Sequence, residues 1–254
     1  MNYIIEDSTM SAIADAIREK TGTQEAFQVT DMASAIQNIP SGGGDDDAKG
    51  ILEKTISEIT NSANSIGSYA FANCSGLTSV SFPVCTSIDN SAFYYCSGLT
   101  SVSFPVCTSI GSYAFTNCSS LTLANFPSCT SIGSYAFANC SGLTSVSFPA
   151  CTSIGGSAFR NCVKLTAVSF PVCTSIDNSA FYLCSSLTSV YLLSSSKCNL
   201  ANANVFNNTP IAASSYLGYF GSIYVPESLV DTYKSETNWV TYADRITAAP
   251  SEMV

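Results

Sequence analysis

Histidine is absent from this 254-residue chain. That absence removes the commonest general base, the commonest metal ligand and every histidine-containing triad. Only carboxylate or cysteine chemistry stays formally open. Charge is scarce as well, at 11% of residues, where an ordinary globular domain carries about a quarter. The balance is acidic, with a net charge of −9. Such a chain repels phosphate backbones and anionic headgroups, so neither nucleic acid nor an anionic membrane is an expected partner. No apolar run reaches the ~18 residues of a membrane-spanning helix, so membrane insertion is not expected. The opening stretch "MNYIIEDSTMSAIADAIREK" has no basic segment followed by an apolar one, so no secretory signal is expected in it.

The charge that exists is unevenly placed. Residues 1–58 carry eleven acidic and four basic side chains, whereas residues 59–193 carry only Asp89, Asp177, Arg160 and Lys164. Two short helices are predicted at the start. Ser8 suits an N-cap, with Met10, Ile13, Ala14 and Ile17 on one face before Gly22. Thr30 caps a second helix, with Met32, Ala35, Ile36 and Ile39 apolar, and Pro40 ends it. "SGGGDDD" then reads as a flexible, self-repelling linker. Residues 1–40 are therefore a helical attachment segment, too small to be stable alone, which points to docking or oligomerisation.

Cysteine is abundant instead: twelve in all. Cys74, Cys85, Cys96, Cys107, Cys118, Cys129, Cys140, Cys151, Cys162, Cys173 and Cys184 fall at every eleventh position. They belong to a longer period of 22 marked by Ile66, Ile88, Ile110, Ile132, Ile154 and Ile176. A fixed period in this range is the mark of a solenoid. Within each copy Leu77, Val80, Phe82 and Cys85 fit the template L-x-x-L-x-L-x-x-N/C, and Ile66, Tyr69, Phe71 and Cys74 echo them eleven residues earlier. Stacked coils about 4.8 Å apart would set like residues into ladders: two of Phe, two of Cys, one of Ile and one of Leu. Cysteine, small and readily buried, suits the tight bends. The expected layout is a linker over 41–50, an N-terminal cap over 51–65, six repeats over 66–195 and a C-terminal cap over 196–254, with Leu229, Tyr233 and Trp239 covering the last coil.

The "IGSYAF.NC..LTSVSFP" pattern resembles the BspA-like leucine-rich repeats of bacterial surface and phage-associated proteins. The implied fold is a leucine-rich-repeat solenoid, mostly β with short helical turns and 22-residue coils, preceded by the small α-helical segment. The first segment resembles N-terminal pieces of prophage tail-region proteins, and the last resembles the C-terminal cap of such solenoids. The resemblance implies adhesion or receptor binding rather than catalysis, with a host-cell surface protein or glycan as partner and no cofactor. It also implies a virion or assembly partner for residues 1–40. With no export signal expected, the implied location is a virion or prophage product, cytoplasmic before release, with the cell surface reached only by another route.

Two sets of positions depart from the repeat. Among the outward strand positions, mostly serine, Leu123, Asn125 and Tyr191 break the pattern. After the inward Phe of the other half-turn, Tyr94, Tyr95, Arg160 and Tyr182 vary from coil to coil, and exposed tyrosines make good contacts. The alternative readings are that serine merely keeps a regular sheet soluble and that tyrosine merely fills between coils. Asp89 and Asp177 are four coils apart, roughly 19 Å at sheet spacing, so they cannot act as the carboxylate pair of a glycosidase. No C-x2-4-C spacing of a zinc site occurs. Parallel thiols on adjacent strands suit disulfides poorly, so reduced, buried cysteines are expected. Cys198 falls off the eleven-residue register and is the thiol expected to be exposed or reactive. Asn73, Asn117, Asn139 and Asn207 match a glycosylation sequon, but an Asn there more simply ends a tight turn.

Overall fold

A 22-residue period returns the chain to the same angular position on every coil, so equivalent residues must meet across each coil boundary. The computed structural model describes residues 64–212 and 220–253, with the backbone strands Ile4–Ile5 and Glu58–Thr60. It is a parallel-strand β-solenoid of about eight turns. The helices expected over 8–39, the linker over 41–50 and most of the N-terminal cap over 51–65 lie outside the described residues.

Two parallel sheets run along the solenoid. Two-residue strands form one continuous ladder of seven, from Ser65–Ile66 to Asn199–Leu200, in which serine pairs with serine and isoleucine with isoleucine until the last step. Three-residue strands such as Ser79–Ser81, Leu123–Asn125 and Ser189–Tyr191 form the other side, in three hydrogen-bonded segments. That side extends beyond the six repeats read from sequence. Glu58–Thr60 pairs with Ser79–Ser81, and Ile4–Ile5 pairs with Glu58–Ile59. At the far end Ser222–Val225 and Ile246–Ala248 add two more strands. The C-terminal cap thus continues both ladders before it closes them. Threonine edges reinforce the stacking: Thr108 donates its N–H and its hydroxyl to the Thr86 carbonyl at 2.8 and 3.0 Å, and Thr130 repeats this on Thr108.

The short helical turns take a specific form. Tyr113 N–H, Phe115 N–H and Asn117 N–H cross to Ser134, Ala136 and Ala138 carbonyls of the next coil at 2.9, 2.7 and 2.9 Å. The alternate groups close turns within the coil, as Ala114 N–H does on Gly111. A helix would direct every N–H inward along itself, so the left-handed residues at Tyr113 (φ 61°) and Asn117 (φ 64°) are what turn half of them outward. Asn73, Asn139 and Asn161 take the same conformation, as expected of turn-ending asparagines. Coils approach so closely here that a Cβ on Gly133 would lie 2.6 Å from the Gly111 carbonyl carbon.

Like stacks on like inside. Phe71, Phe93, Phe115, Phe137, Phe159, Phe181 and Phe206 stack at 5.1 to 5.5 Å between ring centres. Phe82, Phe104, Phe126 and Phe148 form a second stack at 5.4 to 5.5 Å, meeting the first edge-on or tilted. The column ends on Phe206 against Tyr242 at 5.3 Å, with Trp239 and Tyr233 packed beside it. Tyr233 and Trp239 are fully buried and Leu229 partly so, as the sequence suggested; Tyr242 completes the set.

The thiols have work beyond filling space. Cys96, Cys118, Cys140, Cys162 and Cys184 donate S–H to the carbonyls of Phe71, Phe93, Phe115, Phe137 and Phe159, one coil back, at 2.9 to 3.2 Å. Cys85, Cys107, Cys129, Cys151 and Cys173 donate to the serine carbonyl two residues on, at 3.2 to 3.4 Å. No disulfide joins any of the twelve cysteines, and all except the half-buried Cys74 are buried. Cys198 is the correction: it is fully buried, although it stays one place out of the cysteine register, opposite Thr174. Two extra residues loop out before Asn199 pairs with Ser175, and the cap then covers the thiol that the count along the chain leaves exposed.

Phe137 packs between four rings, so Phe137→Ala should cost about 3–5 kcal/mol in denaturant unfolding, while Tyr135→Ala should stay within about 0.5 kcal/mol. Burial pushes the Cys129 thiol up to about 11 and those of Cys107 and Cys140 up to about 12. A raised folded-state pKa leaves stability intact below the unfolded thiol value of about 8.5 and removes it as pH climbs through the folded value. The denaturation midpoint should therefore show no thiol-dependent change up to about pH 8.5 and fall between there and pH 12. Cys140→Ala should make that fall shallower. A reducing agent should leave the melting temperature unchanged.

Candidate functional site

A core that repeats from coil to coil leaves individuality to the outward positions. On the face formed by the tight turns, at least one planar group comes from each of six successive coils: Tyr69, Tyr94 with Tyr95, Tyr113, Tyr135, Arg160 and Tyr182. Tyr69, Tyr113 and Tyr95 are 56%, 41% and 48% exposed. Tyr113 and Tyr135 stack at 4.9 Å with planes 1° apart. Tyr94 meets Tyr95 edge-on at 4.6 Å. The Arg160 guanidinium lies 5.2 Å from the Tyr182 ring centre, within cation–π reach. The Tyr94 phenol is pushed up, first by desolvation and then by the phenols of Tyr95, Tyr69 and Tyr113.

The row arises from a substitution between two coil types. Coils reading G-S-Y-A-F carry tyrosine at the third position, as Tyr69, Tyr113 and Tyr135 do. Coils reading D-N-S-A-F-Y put serine there and move the tyrosine three residues on, to Tyr94 and Tyr182. Sequence reasoning found Tyr94, Tyr95, Arg160 and Tyr182 but matched Tyr69 to Val80, which is buried. The left-handed φ of 61° at Tyr69 turns it out instead, and Ala70 fills the core beside it. Alternation of tyrosine with serine at one position was the available signal, since a packed interior site does not take both volumes.

The strand-side candidates are less concentrated. Leu123 and Asn125 are exposed neighbours on one strand, with Leu123 48% exposed. Tyr191 lies three coils away and stacks on Tyr224 of the next strand at 4.7 Å, a partner the sequence had assigned to the cap. The structure does not bring Leu123 and Tyr191 together. On the side of the two-residue strands, a groove of about 370 Å³ is lined by Ile154, Ile176, Asp177, Asn199 and Leu200 among others. Asp177 is its single carboxylate, so it holds no acid pair for glycosidic chemistry. Among the described residues, no three His, Cys, Asp or Glu side chains are grouped to hold a metal ion. No described helix is long and apolar enough to cross a membrane.

Solved structures place this geometry among bacterial solenoids. A leucine rich repeat protein of T. pallidum matches with a TM-score of 0.55 and 26% identity over 61% of this chain and 78% of that one. One from Eubacterium ventriosum matches with a TM-score of 0.54 and 26% identity, over 62% of this chain and 44% of that one. One from Bacteroides ovatus, at 24% identity and a TM-score of 0.50, covers 68% of this chain and 50% of its own, and shares the fold. No curated protein matches the chain. The model of the BspA type leucine rich repeat region matches residues 52–129 and 108–224 in six copies. With that match spanning more than half of the chain and the coil geometry agreeing with it, the protein belongs to the BspA-type leucine-rich repeat family.

Proposed function

We propose that this protein is a non-enzymatic binding protein whose tight-turn face contacts a host-cell surface protein or glycan. One observation carries the reading: six successive coils each present a planar group, drawn from tyrosine or arginine, on one face. Tyrosine and arginine are enriched where binding energy concentrates. Tyrosine offers area and a hydroxyl at little entropy cost, and its spacing here is fixed by the stack beneath it. The near absence of charge in the array suits a neutral partner. Family membership supports binding over catalysis. The resemblance of residues 1–40 to prophage tail-region segments supports attachment to a virion or assembly partner, leaving the solenoid free to engage a cell.

A second reading, a rigid spacer, draws on the uniform serine and threonine ladders of the strand side. The two are separated by titrating the labelled full chain against intact bacterial cells and isolated envelopes, alongside Tyr94→Ala, Tyr113→Ala and Arg160→Ala. The binding reading predicts saturable binding, weakened by about 1–2 kcal/mol in each variant, roughly 5- to 30-fold. Leu123→Ala should bind as the parent does. An absence of saturable binding by the full chain would favour the spacer.

A further inference from the structure

The second cysteine ladder ends differently from the way it runs. Cys85, Cys107, Cys129 and Cys151 each donate S–H to the serine carbonyl two residues on, at 3.2 or 3.3 Å. The corresponding bond from Cys173 is longer, 3.4 Å. At Cys198 the residue two positions on is Leu200, and the nearest carbonyl offered is that of Asn199 at 3.9 Å. The Cys198 S–H is therefore directed at the Cys173 sulfur, 3.7 Å away.

The cap holds Cys198 there from both sides of its backbone. Its N–H donates to the Tyr233 hydroxyl at 2.8 Å, and Trp239 Nε1 donates to its carbonyl at 2.8 Å. The following residue, Asn199, bonds back to the Thr174 carbonyl at 2.8 Å and pairs with Ser175, so Cys198 stands one place out of the cysteine register, opposite Thr174, with its sulfur against that of Cys173. Out of the parallel register that disfavours bridging along the rest of the ladder, the two sulfurs already lie in contact at 3.7 Å. We propose that Cys173 and Cys198 form an oxidative modification site, at which a peroxide converts the pair into a disulfide that ties the last regular coil to the cap.

The electronic setting agrees with the geometry. The Cys173 thiol is drawn down by the S–H of Cys198, whereas Cys107 and Cys129 are pushed up by burial. Cys173 is thus the more available thiolate of its ladder. Its sulfur attacks one peroxide oxygen, the O–O bond breaks, and the departing hydroxide takes a proton to leave as water. The Cys173 sulfenic acid so formed is attacked by the sulfur of Cys198, which gives up its proton as the S–OH bond breaks and a second water leaves. Two thiols and one peroxide become one disulfide and two waters. Peroxide is small enough to enter when the exposed Ser195 and Ser196 loop opens locally. The site is independent of the binding reading.

The test treats the full chain with hydrogen peroxide and counts thiols after denaturation, with peptide mapping by mass spectrometry. The expected result is a fall from the twelve thiols of the chain to ten, with one cross-linked peptide pair joining Cys173 and Cys198. Cleavage at Lys197 separates the two cysteines, so the linkage is read directly. Cys198→Ser, which keeps the attacking thiol and lacks the resolving one, should yield no cross-link. Cross-links spread over other neighbours such as Cys85 and Cys107 would overturn the proposal. So would a Cys173 oxidised without a partner, or no thiol consumed under conditions that oxidise a free cysteine peptide.

Discussion

Every feature of this molecule depends on the hydrogen bonds that cross from one coil to the next in a register of 22. A parallel ladder ties each residue to its equivalent one coil away, so whatever occupies a position recurs beside itself. That constraint selects side chains that pack well against copies of themselves. Phenylalanine stacks ring on ring, isoleucine and leucine interdigitate, and threonine adds a hydroxyl bond to the backbone bond its own N–H already makes. Charged side chains meet the opposite fate, since like charges set side by side repel. The scarcity of charge between residues 59 and 193 is thus a direct consequence of the stacking.

Cysteine illustrates the same selection at finer grain. An alanine would fit the tight bend but would offer no donor. The cysteine S–H reaches a carbonyl in both ladders, across a coil boundary in one and within the coil in the other. The first ladder stops at Thr209, which stands where a cysteine would next fall and donates its hydroxyl to Phe206 at 2.7 Å. A donor is kept where the residue type changes, although it turns to a phenylalanine carbonyl of its own coil rather than of the coil before. The cap applies the same rule with larger groups, as Tyr233, Trp239 and Tyr242 supply polar tips to the backbone of the final coil while their rings cover the phenylalanine column.

Much of this was legible in the sequence, because period and residue type act together. The isoleucine spacing gave the coil, the Leu77–Val80–Phe82–Cys85 pattern gave the strand side, and the asparagines gave the turn ends. What was not legible came from places where backbone conformation overrides spacing. Tyr69 and Val80 occupy equivalent places eleven residues apart, yet a positive φ at Tyr69 sends it to the surface. Cys198 lies 25 residues after Cys173 where the strands are offset by 24, and only its burial under the cap brings its sulfur beside the stack. Of the candidate site, the variable Tyr94, Arg160 and Tyr182 could be found by departure from the repeat. Tyr113 and Tyr135 were hidden by conforming to it.

The central claim is that cross-coil hydrogen bonding in the tight turns holds the stack as firmly as the strands do. Native-state hydrogen exchange, resolved by residue, tests it most directly. The account predicts that the N–H groups of Phe93, Phe115 and Phe137 exchange as slowly as those of Ile110 and Ile132, since each bonds to the next coil at 2.7 Å from a buried position. Exchange of those phenylalanine amides at the rate of a frayed surface turn, with the strands still protected, would contradict it.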